Sequence, residues 1–347
     1  MLTTFFKKSG LSLIVLCCLL ACNSGEKIPD ISSIKIELKT KRLDKDLAAI
    51  DTNNVATAVK ALQPQYPDFL DFYLDTLMGF GIKGNYSDTC QAMRQGLRSF
   101  LTHKDYKGLF DTVKKHYPDT KATDEALEMG FRFMKFYYPN YRVPQIIYLI
   151  SGLGNWGAFT LSGTTVGVGL DMFLGPEYPF YKSVGLPEYM GRHFQSDYIP
   201  VAVFSAIYQD MYPLDLENKS LLEMMIEKGK LQYFLSKVLP RTDDSLRLAY
   251  SPKQLDWCKK NEGLIYNFFI KENLFYSKEW QKILRYVNDG PNSTGMPPES
   301  PGNIGSWLGL QIVRSYMKNH PETTLPQLFS MKSAPQNFLE DSKYKPR

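Results

Sequence analysis

Apolar and polar positions alternate through IKIELKT, residues 34–40, which predicts a strand. The spacing then changes to a helical one. RLDKDLAAID from Arg42 reads as a short helix, Val55 to Leu62 as a second, and DFLDFYLDTLMGFG as a third, with Phe69, Phe72, Tyr73, Leu77 and Phe80 on one face and Gly79 and Gly81 ending it. Residues 87–117 keep a helical pattern. Thr123 or Asp124 is placed to cap a long helix to Tyr138, which Pro139 and Pro144 stop. QIIYLIS then reads as a buried strand, and the Thr-, Val- and Gly-rich AFTLSGTTVGVGLDMFLG as a hairpin leading into another.

The second half is helical throughout. In DYIPVAVFSAIYQDMYP, Asp197 is placed to cap, Pro200 suits the first turn, and Val201, Phe204, Tyr208 and Met211 form an apolar face that Val203 and Ile207 widen before Pro213. NKSLLEMMIEKGKLQYFLSKVLP carries Leu222, Met225, Ile226, Gly229, Tyr233 and Phe234 at helical intervals. SPKQLDWCKKNEGLIYNFFIKENLF reads as one amphipathic helix capped at Ser251 and Pro252. In the next helix Ile304, Leu308, Ile312 and Tyr316 share a stripe, and Gly305 and Gly309 leave room for a neighbouring helix to approach closely. Leu325 to Phe329 begins a last short helix. There is no internal repeat and no low-complexity linker. The pattern predicts a single α+β domain over 34–347, predominantly helical, with a small sheet from 34–40, 144–151 and 159–172.

Gly152, Gly154 and Gly157 stand in the spacing G-x-G-x-x-G directly behind an apolar run. A dinucleotide fingerprint needs a helix to begin there, so that its N-terminus meets the pyrophosphate. Here Gly157 leads into a strand pattern, and no helical run of even three turns fits before Val166. The glycines are read as turns between strands, where positive φ is needed. No nucleotide is expected.

The N-terminus changes the picture more than the composition does. Lys7 and Lys8 precede an apolar run from Leu11 to Leu20. That run is half the roughly 20 residues of a spanning helix and the right size for a secretory signal. It ends in Leu19-Leu20-Ala21-Cys22, which resembles the bacterial lipobox. Residues 1–21 are accordingly expected to be removed, Cys22 to carry acyl chains that hold the protein on a membrane, and residues 22–33 to serve as a polar tether. Asn23 rather than Asp after the cysteine favours the outer membrane, by analogy with other bacterial lipoproteins. The net charge is +5 with no long basic block, so no nucleic-acid partner is expected. Of the five cysteines only Cys90 and Cys258 lie beyond the acylation site; an oxidising compartment leaves their pairing open, and burial as plain thiols is the favoured reading.

Several segments together carry a family resemblance: KTKRLDKDL, VGVGLDMFLGPEYPFYK, SPKQLDWCKKNE, SPGNIGSWLGLQIVRSYMKNHPETTLPQLF and the terminal SKYKPR. In order and spacing they resemble the Bacteroidota gliding-motility lipoprotein family GldB over nearly the whole mature chain. The resemblance implies a lipid-anchored accessory of gliding motility and type IX secretion, with envelope proteins as partners and no established enzymatic activity.

A second resemblance bears on mechanism. The order strand, Gly-rich hairpin, strand, helix, helix resembles the catalytic half of zincin metallopeptidases. In those enzymes the first helix carries H-E-x-x-H, with two imidazoles on one face. That layout places the motif in 201–212, which holds VAVFSAIYQDMY and no histidine. His103, His116, His193 and His320 form no i, i+4 pair, and Asp210 and Glu227 without imidazole make a poor zinc site. The resemblance thus implies a degenerate scaffold with no metal and no cofactor. Ser151 and Ser162 do not stand in G-x-S-x-G. Asp171, Glu177 and Glu188 near the presumed cleft could act as paired carboxylates in glycoside hydrolysis, yet caps and ion pairs account for most acidic residues. The Tyr- and Pro-rich stretch 176–189 is the best candidate for a ligand or partner surface. These features together point to a lipid-anchored protein acting by binding or assembly. The alternative is an envelope hydrolase, either a divergent metallopeptidase or a carboxylate-based enzyme.

Overall fold

The computed structural model describes residues 28–154, 157–214 and 217–347; the signal segment and Cys22 lie outside the described residues. Four short strands make the sheet: β1 Thr40–Arg42, β2 Gln145–Leu149, β3 Ala158–Leu161 and β4 Thr165–Gly169. Their order is β1-β2-β4-β3. β1 and β2 run parallel, as do β2 and β4, while β3 is antiparallel to β4. The hairpin turns through Ser162 and Gly163, both at positive φ, which matches the right-handed twist of the strands it joins. β3 thereby carries the chain far enough outward for β4 to return beside β2. The two central strands are buried on both faces beyond their first residue, which explains the unbroken apolar run in QIIYL.

Helices cover this sheet and extend well past it, giving the predominantly helical α+β fold that the periodicity predicts. We label four core helices α1 Lys121–Tyr137, α2 Ile199–Met211, α3 Leu221–Val238 and α4 Ile304–Asn319. The tightest contact joins α3 to α4. A Cβ on Gly309 would lie 1.7 Å from the Met225 carbonyl oxygen, and one on Gly229 would lie 2.2 Å from the Gly309 carbonyl carbon. The room expected at Gly309 is therefore real, and Gly229 supplies the other half of it.

Several boundaries differ from the sequence reading. Residues 34–38 keep their alternation, with Ile36 and Leu38 packed on the core, but they pair with no strand, and Lys39 contributes only its carbonyl, which accepts from Ile146 N–H at 2.9 Å. Arg132 of α1 reaches the carbonyls of Ile31 and Ile34, and the strand forms only at 40–42, where β2 becomes its neighbour. α1 starts earlier than expected. Asp124 is no cap; it accepts hydrogen bonds from Tyr148 and Thr120. Asp197 makes no cap bond, because a short 3-10 turn, Ser196–Tyr198, feeds α2 directly.

The single helix expected after Ser251 is two, Pro252–Lys260 and Glu262–Lys271. The Asn261 side-chain amide donates to the Trp257 carbonyl and interrupts the run, the local competition that disfavours asparagine inside helices. A further helix, Pro335–Ser342, follows Leu325–Ser330. The tail beyond it docks on the second of the two helices after Ser251: Tyr344 donates to Glu262 at 2.7 Å, and Gly263 N–H donates to the Arg347 carbonyl.

Candidate functional site

The glycine motif ends β2, and its ligand is internal. Gly152 and Leu153 take successive positive φ values of 67° and 60°. Two such residues turn neighbouring N–H groups inward and form an anion-binding concavity. The carboxylate of Asp171, fully buried just beyond β4, fills it. Ser151 N–H donates to Oδ1 at 2.8 Å, while Ser151 Oγ and Leu153 N–H donate to Oδ2 at 3.0 and 2.7 Å. Burial raises the Asp171 pKa above the usual carboxylate value, and the three hydrogen bonds pull against that rise. Gly157 leads into β3 rather than a helix, so no nucleotide geometry exists here.

The same observations sort the other groups singled out in the sequence. Ser151 is buried and spends its hydroxyl on Asp171, and Ser162 sits at the hairpin turn. Glu188 is exposed and pairs with Lys182 at 2.9 Å; Glu177 is exposed. Of the carboxylates grouped by sequence, Asp171 is thus buried while Glu177 and Glu188 face solvent. α2 buries Val201, Val203, Phe204, Ile207 and Tyr208. Asp210 is exposed beside the Gly163 turn, whereas Glu227 bonds Lys230 at 2.9 Å. That buried lysine also reaches the Met331 carbonyl, along the wall of a recess of about 770 Å³. Among the described residues, no group of three or more His, Cys, Asp or Glu is placed to hold a metal. Cys90 and Cys258 are separate thiols, and burial pushes the Cys258 pKa up to about 12.

Three histidines have local roles. His103 caps the helix Lys104–His116, His116 meets Ser196, and His320 stacks on Tyr316. His193 differs. It faces a cleft of about 670 Å³ built from three segments distant in sequence. The first, from the end of the Tyr- and Pro-rich stretch 176–189 onward, brings Tyr189 and His193. The second, at the start of the helix Pro252–Lys260, brings Tyr250, Lys253 and Trp257. The third, loop 289–302, brings Asp289 and Glu299.

His193 Nε2 lies 3.4 Å from Asp289 Oδ2, and its ring meets Tyr198 edge to face. Burial lowers the His193 pKa while Asp289 partly restores it. Asn303 donates a further hydrogen bond to Asp289 at 3.1 Å. The loop is pinched at its neck, where a Cβ on Gly302 would lie 2.2 Å from the Gly290 carbonyl oxygen. Inside it, Ser293 donates to the Ser300 hydroxyl and to the Pro301 carbonyl. The rim is therefore held in one shape.

The model of the family described as gliding motility protein GldB matches residues 24–346. The chain belongs to the GldB family. No curated protein and no solved structure matches it, and the zincin likeness gains no support from these comparisons. Two of the segments that resemble GldB now have structural meanings. VGVGLDMFLGPEYPFYK contains β4, the buried Asp171 and the approach to the cleft, and SPKQLDWCKKNE forms the cleft wall with Trp257. Asp289, Tyr250 and Glu299 were missed by the sequence reading. The only local signal for that wall was the run of Gly, Pro and Ser from 290 to 302, which marks an ordered loop without naming its use.

Proposed function

We propose that this GldB-family protein is a lipid-anchored accessory of gliding motility and type IX secretion, held through Cys22 on the outer membrane and acting by binding or assembly rather than catalysis. The family match over residues 24–346 carries the reading. The lipobox at Cys22 supports the anchor, since no described helix is long and apolar enough to cross a membrane. The buried apolar face of α2 supports a scaffolding role, because a metallopeptidase of the resembled layout needs imidazoles on that helix. Its large side chains contribute roughly 1.5–3 kcal/mol each when fully buried.

The test is palmitate labelling and membrane fractionation in the native host. Wild type is expected in the outer-membrane fraction with label, and Cys22→Ser without label and with impaired gliding or secretion. Label in Cys22→Ser, or full function of that variant, overturns the anchor. Hydrolysis of peptide or glycan substrates by the purified protein overturns the non-catalytic part.

A further inference from the structure

The cleft beside His193 has a composition that narrows its ligand. Three carboxylates line it, those of Asp256, Asp289 and Glu299, against the ammonium groups of Lys253 and Lys260. Lys260 is already held by Asp256 at 2.7 Å. Asp289 also lies within the electrostatic reach of Lys228, so the charges roughly balance and leave no cationic surplus for an anionic ligand. The helix start on the same wall has already spent its capping groups: Pro252 has no N–H, Ser251 Oγ takes the Gln254 N–H at 3.1 Å, and Gln254 Oε1 takes the Ser251 N–H at 2.8 Å. A peptide bound as an added strand would want a sheet edge. No strand of the described sheet lines this cleft.

What the walls do supply is aromatic faces together with hydrogen-bond acceptors. Tyr189 stands 43% exposed at the rim, and Trp257 and Tyr250 lie deeper. An aromatic ring carries a negative face that attracts the slightly positive C–H groups of a flat ligand. Ionised carboxylates accept hydroxyl donors in short, strong bonds. A pyranose offers both at once, a face of C–H groups and a ring of hydroxyls. The fixed neck at Gly290 and Gly302 means that little ordering remains to be done on binding.

We infer that this cleft binds a neutral oligosaccharide of hexose or N-acetylhexosamine units, stacked on Tyr189 and Trp257 with its hydroxyls donated to Asp289 and Glu299. The inference deepens the binding role proposed above, and rests on it only in treating the cleft as a binding site.

The experiment titrates full-length lipidated protein, in a detergent without a sugar headgroup, with chitotriose, maltotriose and cellotriose; tetra-alanine and inorganic phosphate serve as comparisons. At least one trisaccharide is expected to bind saturably at about 1 mM or tighter, with Tyr189→Ala and Trp257→Ala each weakening it about tenfold or more. Tyr189 is exposed, so Tyr189→Ala should keep the wild-type melting temperature, which separates lost stacking from lost folding. No saturable binding of any trisaccharide up to about 10 mM overturns the inference. So does binding indifferent to Tyr189→Ala, or preference for tetra-alanine or phosphate. Release of reducing ends from a bound trisaccharide would keep the ligand assignment and overturn the non-catalytic reading, so the two fail separately. Loss of function in Cys22→Ser bears on the anchor alone.

Discussion

The turn at 151–154 and the cleft beside His193 each gather polar groups around an aspartate, and they differ in what is left over. Around Asp171 two N–H groups and a hydroxyl converge on a carboxylate with no exposure, and the recognition is complete within the chain. Around Asp289 a histidine and an asparagine contact a carboxylate whose side chain keeps 37% of its exposure. The first arrangement looks like a ligand site in sequence and is a structural joint. The second has no motif and leaves hydrogen-bonding capacity facing solvent. Unspent capacity, rather than resemblance to a motif, separates a site from a scaffold.

That contrast can be broken most directly at the joint. Asp171→Ala strands three donors in a dry interior, at about 1–3 kcal/mol each, so a loss of at least roughly 3 kcal/mol is expected in urea unfolding. A loss below about 1 kcal/mol would mean that water replaces the carboxylate and that the turn is not a closed joint.

Next in size is Gly302→Val, which places a side chain against the Gly290 backbone. Overpacking should cost about 1–3 kcal/mol and weaken trisaccharide binding through the displaced loop. Unchanged stability and binding would show that the rim is soft. Asp289→Asn should alter stability by less than about 1 kcal/mol, because its contact with His193 is partly solvated, while it lowers ligand affinity. A large stability loss there would make the cleft a second joint and erase the distinction.

The smallest effect is one of pH. The folded-state pKa of His193 lies below its ordinary value of 6.5, so the fold favours the neutral ring. Its contribution is therefore present above about pH 6.5 and is lost as pH falls through the lower folded-state value. His193→Gln should show a flatter dependence of melting temperature on pH between about 7 and 5 than wild type. Equal slopes in the two proteins would mean that the fold does not favour the neutral ring of His193.

Helical spacing was the most legible feature of the sequence, since the helical period is a property of each segment alone, whereas the burial of α3 and α4 on nearly every side depends on neighbours from elsewhere in the chain. Gly309 was legible for the same reason, though its counterpart Gly229 was noted only as one of the positions at helical spacing. The strand read at 34–40 failed because alternation reports a half-buried extended chain, whereas a ladder needs a neighbour, and β2 reaches only residues 40–42. The break at Asn261 depends on one side-chain hydrogen bond that periodicity cannot register. The glycine spacing announced a turn, in which Gly152 and the unflagged Leu153 take the positive φ, and the group it binds lies 20 residues along the chain from Ser151, at Asp171. The cleft was largely illegible. Its walls come from three separate segments, and only the aromatic stretch leading to Tyr189 drew notice beforehand.

The sheet order also has a consequence in time. β3 and β4 meet across a short turn and can pair within microseconds, as isolated hairpins do. β1 must wait for a partner about a hundred residues further along, so it leaves the ribosome, and any export channel, long before β2 exists. An unpaired strand in that interval is a template for the wrong chain. β1 is three residues long and two of them are Lys41 and Arg42, a length and charge that give a stray neighbour little to hold. The shortness that hid this strand from its own sequence pattern is thus also its protection while the protein is being made.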